Sequence, residues 1–182
     1  MKLWLARHAA PLIEAGICYG SLDIEADAAA TLSSARALAA ALPQGLPVRV
    51  SGLRRAGRLA QALAALRDDL RPVRDERLNE MHFGAWEGVP WQDISQADID
   101  AWTHDFAQYR AGGGECVTDV LRRVAHAVRD TAMDDEAVWI THAGVIRAVH
   151  YLARHGGADA PSAASWPVQA PACGEWTLLA GL

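Results

Sequence analysis

The stretch Met1-Lys2-Leu3-Trp4-Leu5-Ala6-Arg7-His8-Ala9-Ala10-Pro11 sets the reading of the fold. Its apolar run from Leu3 to Ala6 reads as a short buried strand, although periodicity alone leaves a helix open. The run stops at adjacent Arg7 and His8, and Pro11 ends any continuation. The end of a buried strand is where an α/β sheet commonly presents its chemistry. By itself the dipeptide is more simply a structural arginine and a satisfied histidine at a strand edge. The remaining chain has to decide between the two.

The same pattern recurs further along. Pro47-Val48-Arg49-Val50 reads as a strand and runs through Ser51-Gly52-Leu53 into Arg54-Arg55-Ala56, with a helix following to about Leu66. A helix N-terminus offers free N–H groups and a positive dipole end, so arginines there are better tolerated beside a bound anion. Glu136-Ala137-Val138-Trp139-Ile140-Thr141 is another buried-strand run, and it delivers His142 directly before a helix. Between these lie an Ala/Leu-rich helix over Thr31–Leu42, a short strand over Arg71–Arg77, and a helix from Cys116 to about Ala132. The last is marked by Val117, Val120, Leu121, Val124 and Val128 at three- and four-residue steps. Strands alternating with helices predict an α/β fold, three-layer α/β/α, with a mostly parallel central sheet.

The loops carry the rest. Gly16-Ile17-Cys18-Tyr19-Gly20 reads first as a turn, with close approach of backbone to a ligand as the alternative. No feature argues for a reactive Cys18 thiolate. Leu78-Asn79-Glu80-Met81-His82 through Glu87-Gly88 has neither helical nor strand periodicity, and polar residues on such a loop are a functional hint. Residues 91–112 read as a helical insertion with Trp91, Ile94, Ile99, Trp102 and Phe106 as apolar anchors. Gly112-Gly113-Gly114 reads as a flexible joint, and Glu115 as either a helix-dipole partner or a residue that closes the site. The tail from Gly156 to Pro171 reads as loop, and segments 168–170 and 176–179 as a closing hairpin.

Bulk properties narrow the function classes. With 182 residues the chain suits one domain, residues 1–182. A hydrophobic content of 51% and a charged content of 21% are those of a globular protein. A net charge of −5 argues against general nucleic-acid binding. No apolar run has the length of a membrane span, so no membrane partner is expected. Cys18, Cys116 and Cys173 form no CxxC pair or zinc pattern, and the seven histidines form no HExxH, so reduced thiols, a cytoplasmic location and no metal are the expectation.

Three strand ends therefore bring Arg7-His8, Arg54-Arg55 and His142 to one sheet edge, and a loop adds Glu80. Arginine matches phosphate oxygens bidentately, imidazole can attack phosphorus, and a carboxylic acid can protonate a departing alkoxide. In order, Arg7-His8-Ala9, Leu53-Arg54-Arg55-Ala56, Leu78-Asn79-Glu80 with Phe83-Gly84-Ala85-Trp86-Glu87-Gly88, Gly113-Gly114-Glu115, and Thr141-His142-Ala143-Gly144-Val145-Ile146-Arg147 resemble the motifs of the histidine phosphatase superfamily, also called phosphoglycerate-mutase-like. The resemblance runs from residue 2 to about residue 150. Within it, Gly16–Gly20 followed by Leu22-Asp23 resembles the α-ribazole phosphatases of cobalamin biosynthesis.

The resemblance implies a phosphomonoesterase that works through a phosphohistidine and needs no cofactor. His8 would be the nucleophile, Glu80 the general acid and then base, and Arg7, Arg55 and His142 the phosphate-binding groups. Arg55 is preferred to Arg54 because the family's arginine directly precedes the alanine of its motif. The substrate would be a small phosphate ester. A phosphoglycerate mutase and a non-catalytic phosphate-binding module are the alternatives. The first lacks the Gly-Glu and downstream Asn expected after His8. Ala9 and Ala143 stand where the family usually has glycine, which a pocket tolerates if φ stays negative. Gly52 replaces the usual proline and is expected to loosen the turn before Arg54. His142, facing an oxyanion, is expected to be protonated.

Overall fold

The computed structural model describes residues 1–156 and 160–182. Five strands form one sheet in the order β3-β2-β4-β1-β5. They are β1 (Lys2–Arg7), β2 (Val48–Val50), β3 (Pro72–Arg74), β4 (Glu136–Thr141) and β5 (Trp176–Ala180). All pairings are parallel except β1 with β5. The helices are α1 (Ala28–Ala41), α2 (Arg54–Leu66), α3 (Gln96–His104), α4 (Val117–Thr131) and α5 (Ala143–His155).

The two-residue period of the central strands explains the three layers. Leu3, Leu5, Ala137 and Trp139 point into a core shared with α4 and α5. Ala6, Val138 and Ile140 point the other way, into a core with Ala35 and Leu38 of α1 and Ala56, Leu59 and Leu63 of α2. β4 is buried on both faces, as befits the middle of the sheet. The chain thus leaves β1, β2 and β4 at the same edge, and two of these exits lead straight into the N-termini of α2 and α5.

Element ends follow local hydrogen bonding. α1 begins three residues before the sequence reading because the Asp27 carboxylate accepts the Ala30 N–H at 2.7 Å, a side-chain cap. α5 ends at Gly156, whose φ of 59° supplies the left-handed cap. β3 is shorter than Arg71–Arg77, since Asp75 caps a 3-10 turn over Glu76–Leu78.

Two expectations need correction. Residues 168–170 do not pair with Trp176–Ala180 as a hairpin; β5 instead lies antiparallel against β1, with Lys2 opposite Ala180 and Ala6 opposite Trp176. Part of the expected loop after Gly156, positions 157–159, lies outside the described residues. The glycines at 112–114 are not a flexible joint either. A Cβ on Gly112 would come within 2.2 Å of the Phe83 carbonyl oxygen, and one on Gly114 within 2.1 Å of that of His82. From the other side, a Cβ on Gly84 would meet the Gly112 carbonyl oxygen at 2.1 Å. Three glycines lay one loop's backbone directly on another's, which only a missing side chain permits.

Candidate active site

His8 follows β1 and is 2% exposed. Its backbone is tied on both sides, N–H to the Thr141 carbonyl at 3.1 Å and carbonyl to the Gly174 N–H at 2.9 Å. The ring Nδ1 lies 2.7 Å from the Ala9 carbonyl, which can only accept, so Nδ1 carries the hydrogen and Nε2 keeps its lone pair. Burial, with smaller effects from the Arg55 and Arg7 charges and against the pull of the Ala9 hydrogen bond, lowers its pKa to about 3. At neutral pH this is an uncharged imidazole with a free nucleophilic nitrogen beside guanidinium groups.

His142, fully buried at the start of α5, faces it with ring centroids 5.0 Å apart. Its Nε2 lies 2.7 Å from Ser51 Oγ. The Ser51 hydroxyl donates to Asn79 Oδ1 at 2.9 Å and accepts from the Leu53 N–H. Asn79 is oriented in turn, because its amide donates to Glu76 Oε2 at 2.7 Å. With the hydroxyl hydrogen committed, Nε2 of His142 donates and Nδ1 holds the lone pair. Burial and then the neighbouring Arg55 charge push its pKa well below the ordinary value. Complete burial next to cations disfavours a second positive charge on His142, so its protonation depends on an oxyanion facing it.

Arg55 is the second residue of α2 and is wholly buried. Its two Nη atoms donate to the Leu22 and Gly20 carbonyls at 2.8 and 2.5 Å. Burial lowers its pKa, opposed first by the Glu80 carboxylate, and a guanidinium stays charged regardless. Arg54 points elsewhere, onto Asp23 and Glu25 at the surface. Arg7 donates through Nη1 to the Pro171 carbonyl at 3.0 Å. Arg7 and His8 share the wall of one cavity with Glu80.

The carboxylate of Glu80 is aimed by backbone. Oε2 accepts the Gly144 N–H at 2.9 Å and Oε1 the Met81 N–H at 3.0 Å. A Cβ on Gly144 would lie 2.2 Å from Oε1, so the second residue of α5 must be glycine for the carboxylate to sit there. Ala143 and Ala9 both keep negative φ, since no non-glycine residue among those described has a positive one.

The four buried side-chain nitrogens or oxygens that lack a partner, among the described residues, are Arg7 Nε, Arg55 Nε, His142 Nδ1 and Trp102 Nε1. Three of the four belong to the residues around His8. Unmet buried polar atoms are rare and cost roughly 1–3 kcal/mol each, so such a cluster marks a place built for something absent.

Several supporting residues were not legible as such. Glu87 accepts backbone N–H groups from Gly20, Ser21, Leu22 and Phe83 at 2.8–3.0 Å, fixing the loop whose carbonyls hold Arg55. Glu115 neither serves the helix dipole nor reaches the pocket. It pairs with Arg123 at 2.9 Å and accepts the His82 N–H, while Arg123 Nη1 donates to the Arg77 and Asn79 carbonyls. Together they clamp the segment that delivers Glu80. Gly52 is not loose: its N–H donates to Asn79 Oδ1 at 2.7 Å, a bond proline cannot make. Asn79 directly before Glu80 was the one available signal. Cys18 is inert, its thiol pushed up to about 12 by burial and the Glu87 charge. No group of three or more His, Cys, Asp or Glu suited to a metal occurs among the described residues, and no helix is long and apolar enough to cross a membrane.

Comparison with known proteins places this arrangement. The chain is 30% identical to a phosphoglycerate mutase from Thermus thermophilus, with a TM-score of 0.74 over 99% of this chain and 93% of that one. It is 26% identical to mycobacterial hydrolase 1, with a TM-score of 0.80 over 97% and 87%. Over 112 residues it is 32% identical to phosphoglycerate mutase-like protein 4 of Arabidopsis thaliana, a match covering 57% of this chain and about half, 48%, of that protein. The family model described as histidine phosphatase superfamily (branch 1) matches residues 3–173, and the chain belongs to that superfamily.

Proposed function

We propose that the protein is a phosphomonoesterase acting on a small phosphorylated metabolite through a phosphohistidine, without a cofactor. The observation that carries this is the ring of unpartnered nitrogens, Nε of Arg7 and Arg55 and Nδ1 of His142, around a histidine whose Nε2 is held as a lone pair. A phosphoryl group brings the oxygens those atoms lack, and as a dianion it reverses the repulsion that keeps His142 neutral. His142 then takes up a proton at Nδ1 and donates it to a phosphoryl oxygen.

In the first step His8 Nε2 attacks phosphorus as the ester P–O bond breaks, and Glu80 gives its proton to the leaving oxygen. In the second, water attacks phosphorus, the Glu80 carboxylate takes its proton, and the N–P bond breaks to return the lone pair to His8. Arg7, Arg55 and His142 stabilise charge on the transferring group throughout. We assign the protein to the cytoplasm, as a small-molecule enzyme without nucleic-acid or membrane partners.

The loop Gly16–Gly20 with Leu22-Asp23 favours α-ribazole 5′-phosphate as the substrate. The Thermus relative's name instead favours a mutase, in which the phosphohistidine is returned to a second hydroxyl. One experiment separates these. Phosphate release is measured without added metal from α-ribazole 5′-phosphate, 3-phosphoglycerate, a sugar phosphate and an aryl phosphate, with a bisphosphate-primed mutase assay alongside. The parent is expected to release phosphate, fastest from α-ribazole phosphate, and to trap phosphoryl on the His8 peptide after rapid quenching in base. Isomerisation without release makes it a mutase, and trapping at another residue overturns the mechanism.

A further inference from the structure

The cavity that opens from His8 and Glu80 has a volume of about 320 Å³, and most of its wall away from the phosphate end is aromatic. Phe83, Trp91, Trp102, Phe106 and Trp166 follow one another as a run of touching rings. Phe83 meets Trp91 edge-on at 5.7 Å, Trp91 lies within 8° of parallel to Trp102 at 6.3 Å, Trp102 stacks on Phe106 at 5.8 Å, and Phe106 meets Trp166 at 5.7 Å. Three of these five rings come from the 91–112 insertion, whose helix α3 contains no buried residue. An aromatic cluster that served only as core would close on itself. This one remains partly open, with Trp91 37% exposed, around a volume continuous with the nucleophile.

Charge on this part of the wall is sparse. Beyond Arg7 and Glu80, the lining contains a single charged side chain, Arg147, whose Nε already donates to the Val168 carbonyl at 3.2 Å. A leaving group rich in hydroxyls or carboxylates would lose water here and find few partners. A flat apolar one would cover the rings and gain the burial they lack.

We infer that the ring run of Trp91, Trp102 and Phe106, closed by Phe83 and Trp166, selects phosphate esters whose alcohol carries an aromatic ring system, one methylene or more from the ester oxygen. This inference rests on hydrolysis at His8. The spacer matters because an oxygen on an aliphatic carbon needs a proton from Glu80 to depart, whereas an aryl oxygen departs without one.

The test compares kcat/KM of the full chain for benzyl phosphate, glycerol 3-phosphate and 3-phosphoglycerate, all of which need a proton on the leaving oxygen. Benzyl phosphate is expected to exceed both others by about tenfold or more, the gain from burying one phenyl ring. Trp91→Ala, and independently Trp166→Leu farther along the run, should each lower the benzyl-to-glycerol ratio by about fivefold. A ratio near one, a ratio unmoved by both variants, or a preference for 3-phosphoglycerate overturns the inference while leaving phosphatase chemistry standing. Binding of 2-phenylethylphosphonate and ethylphosphonate to His8→Ala, followed by calorimetry, reads the same cavity without turnover. If no ester is hydrolysed, the hydrolysis reading fails alone, and the phosphonates decide: tighter 2-phenylethylphosphonate retains the ring site, equal affinities remove it.

Discussion

The two ends of the pocket are built on opposite principles. At the phosphate end, His8, Arg55 and His142 are each at most 2% exposed, and each is held by directed hydrogen bonds while one nitrogen of each is left without a partner. At the leaving-group end, rings from an irregular insertion meet one another by shape alone, and Trp91 stands over a third exposed. The first arrangement fixes atoms to within a hydrogen bond, because a transferring phosphoryl group has one geometry. The second tolerates repacking, because an apolar ring has no directional demand. One end specifies chemistry, the other specifies appetite.

The contrast breaks most sharply at His8. His8→Ala should lower turnover by about 10³-fold or more with every ester, since no other group can carry the phosphoryl intermediate; steady-state release from an alkyl and an aryl phosphate checks it. Glu80→Gln comes next and should depend on the ester. Roughly 10²–10⁴-fold is expected for alkyl phosphates and far less for aryl phosphates, which depart without a proton. Equal losses for both classes would remove Glu80 from the acid role and turn attention to another carboxylate.

Gly144→Ala adds one methyl group whose nearest neighbours are the Glu80 carboxyl atoms. Its Cβ would stand 2.2 Å from Glu80 Oε1, so the carboxylate must swing away. A loss of about 10²-fold on alkyl phosphates, with aryl phosphates and the melting temperature little changed, is the expected outcome. A smaller effect belongs to pH. His8 and His142 have folded-state pKa values below the ordinary 6.5. Below pH 6.5 the unfolded chain therefore binds more protons than the folded one, so folding stability falls as pH falls. With two protons at stake, the steepest fall below pH 6.5 is on the order of 3 kcal/mol per pH unit. Denaturant titrations at pH 7 and 5 measure this, and His8→Gln should roughly halve the slope. A phosphate-saturated sample should lose less, because the anion favours a protonated His142.

What the sequence disclosed divides along the same line. Strands such as Glu136–Thr141 announce themselves by unbroken apolar runs, and their order with the helices is enough to bring Arg7, His8, Arg55 and His142 to one edge. Arg55 could be told from Arg54 only by motif position, and the structure shows why they differ: one is wholly buried under the Gly20 loop, the other pairs with Asp23 at the surface. The supporting contacts were invisible because each joins residues far apart in sequence. Ser51 sets the tautomer of His142 across 91 positions, and Glu115 and Arg123 brace the approach to Glu80 through the His82 N–H and the Asn79 carbonyl, 33 and 44 positions away. A close hydrogen-bonded partner can be inferred from spacing only when it lies within a turn or two. The closing strand has no local signal for the same reason, since β5 takes β1 as its neighbour from the far end of the chain.

The glycine seam between residues 82–86 and 112–114 has a consequence for how such a protein can change. The neighbouring joins are also backbone to backbone: Cys18 N–H to the Val89 carbonyl, Trp91 N–H to that of Gly16, and Thr118 N–H to that of Ala107. Contacts of this kind read no side-chain identity. The segment they enclose is thus stitched to the catalytic frame by features that nearly any sequence can supply, with glycine demanded at only a few stitches. Rewriting its rings, or exchanging the segment, is therefore expected to leave the backbone around His8 in place.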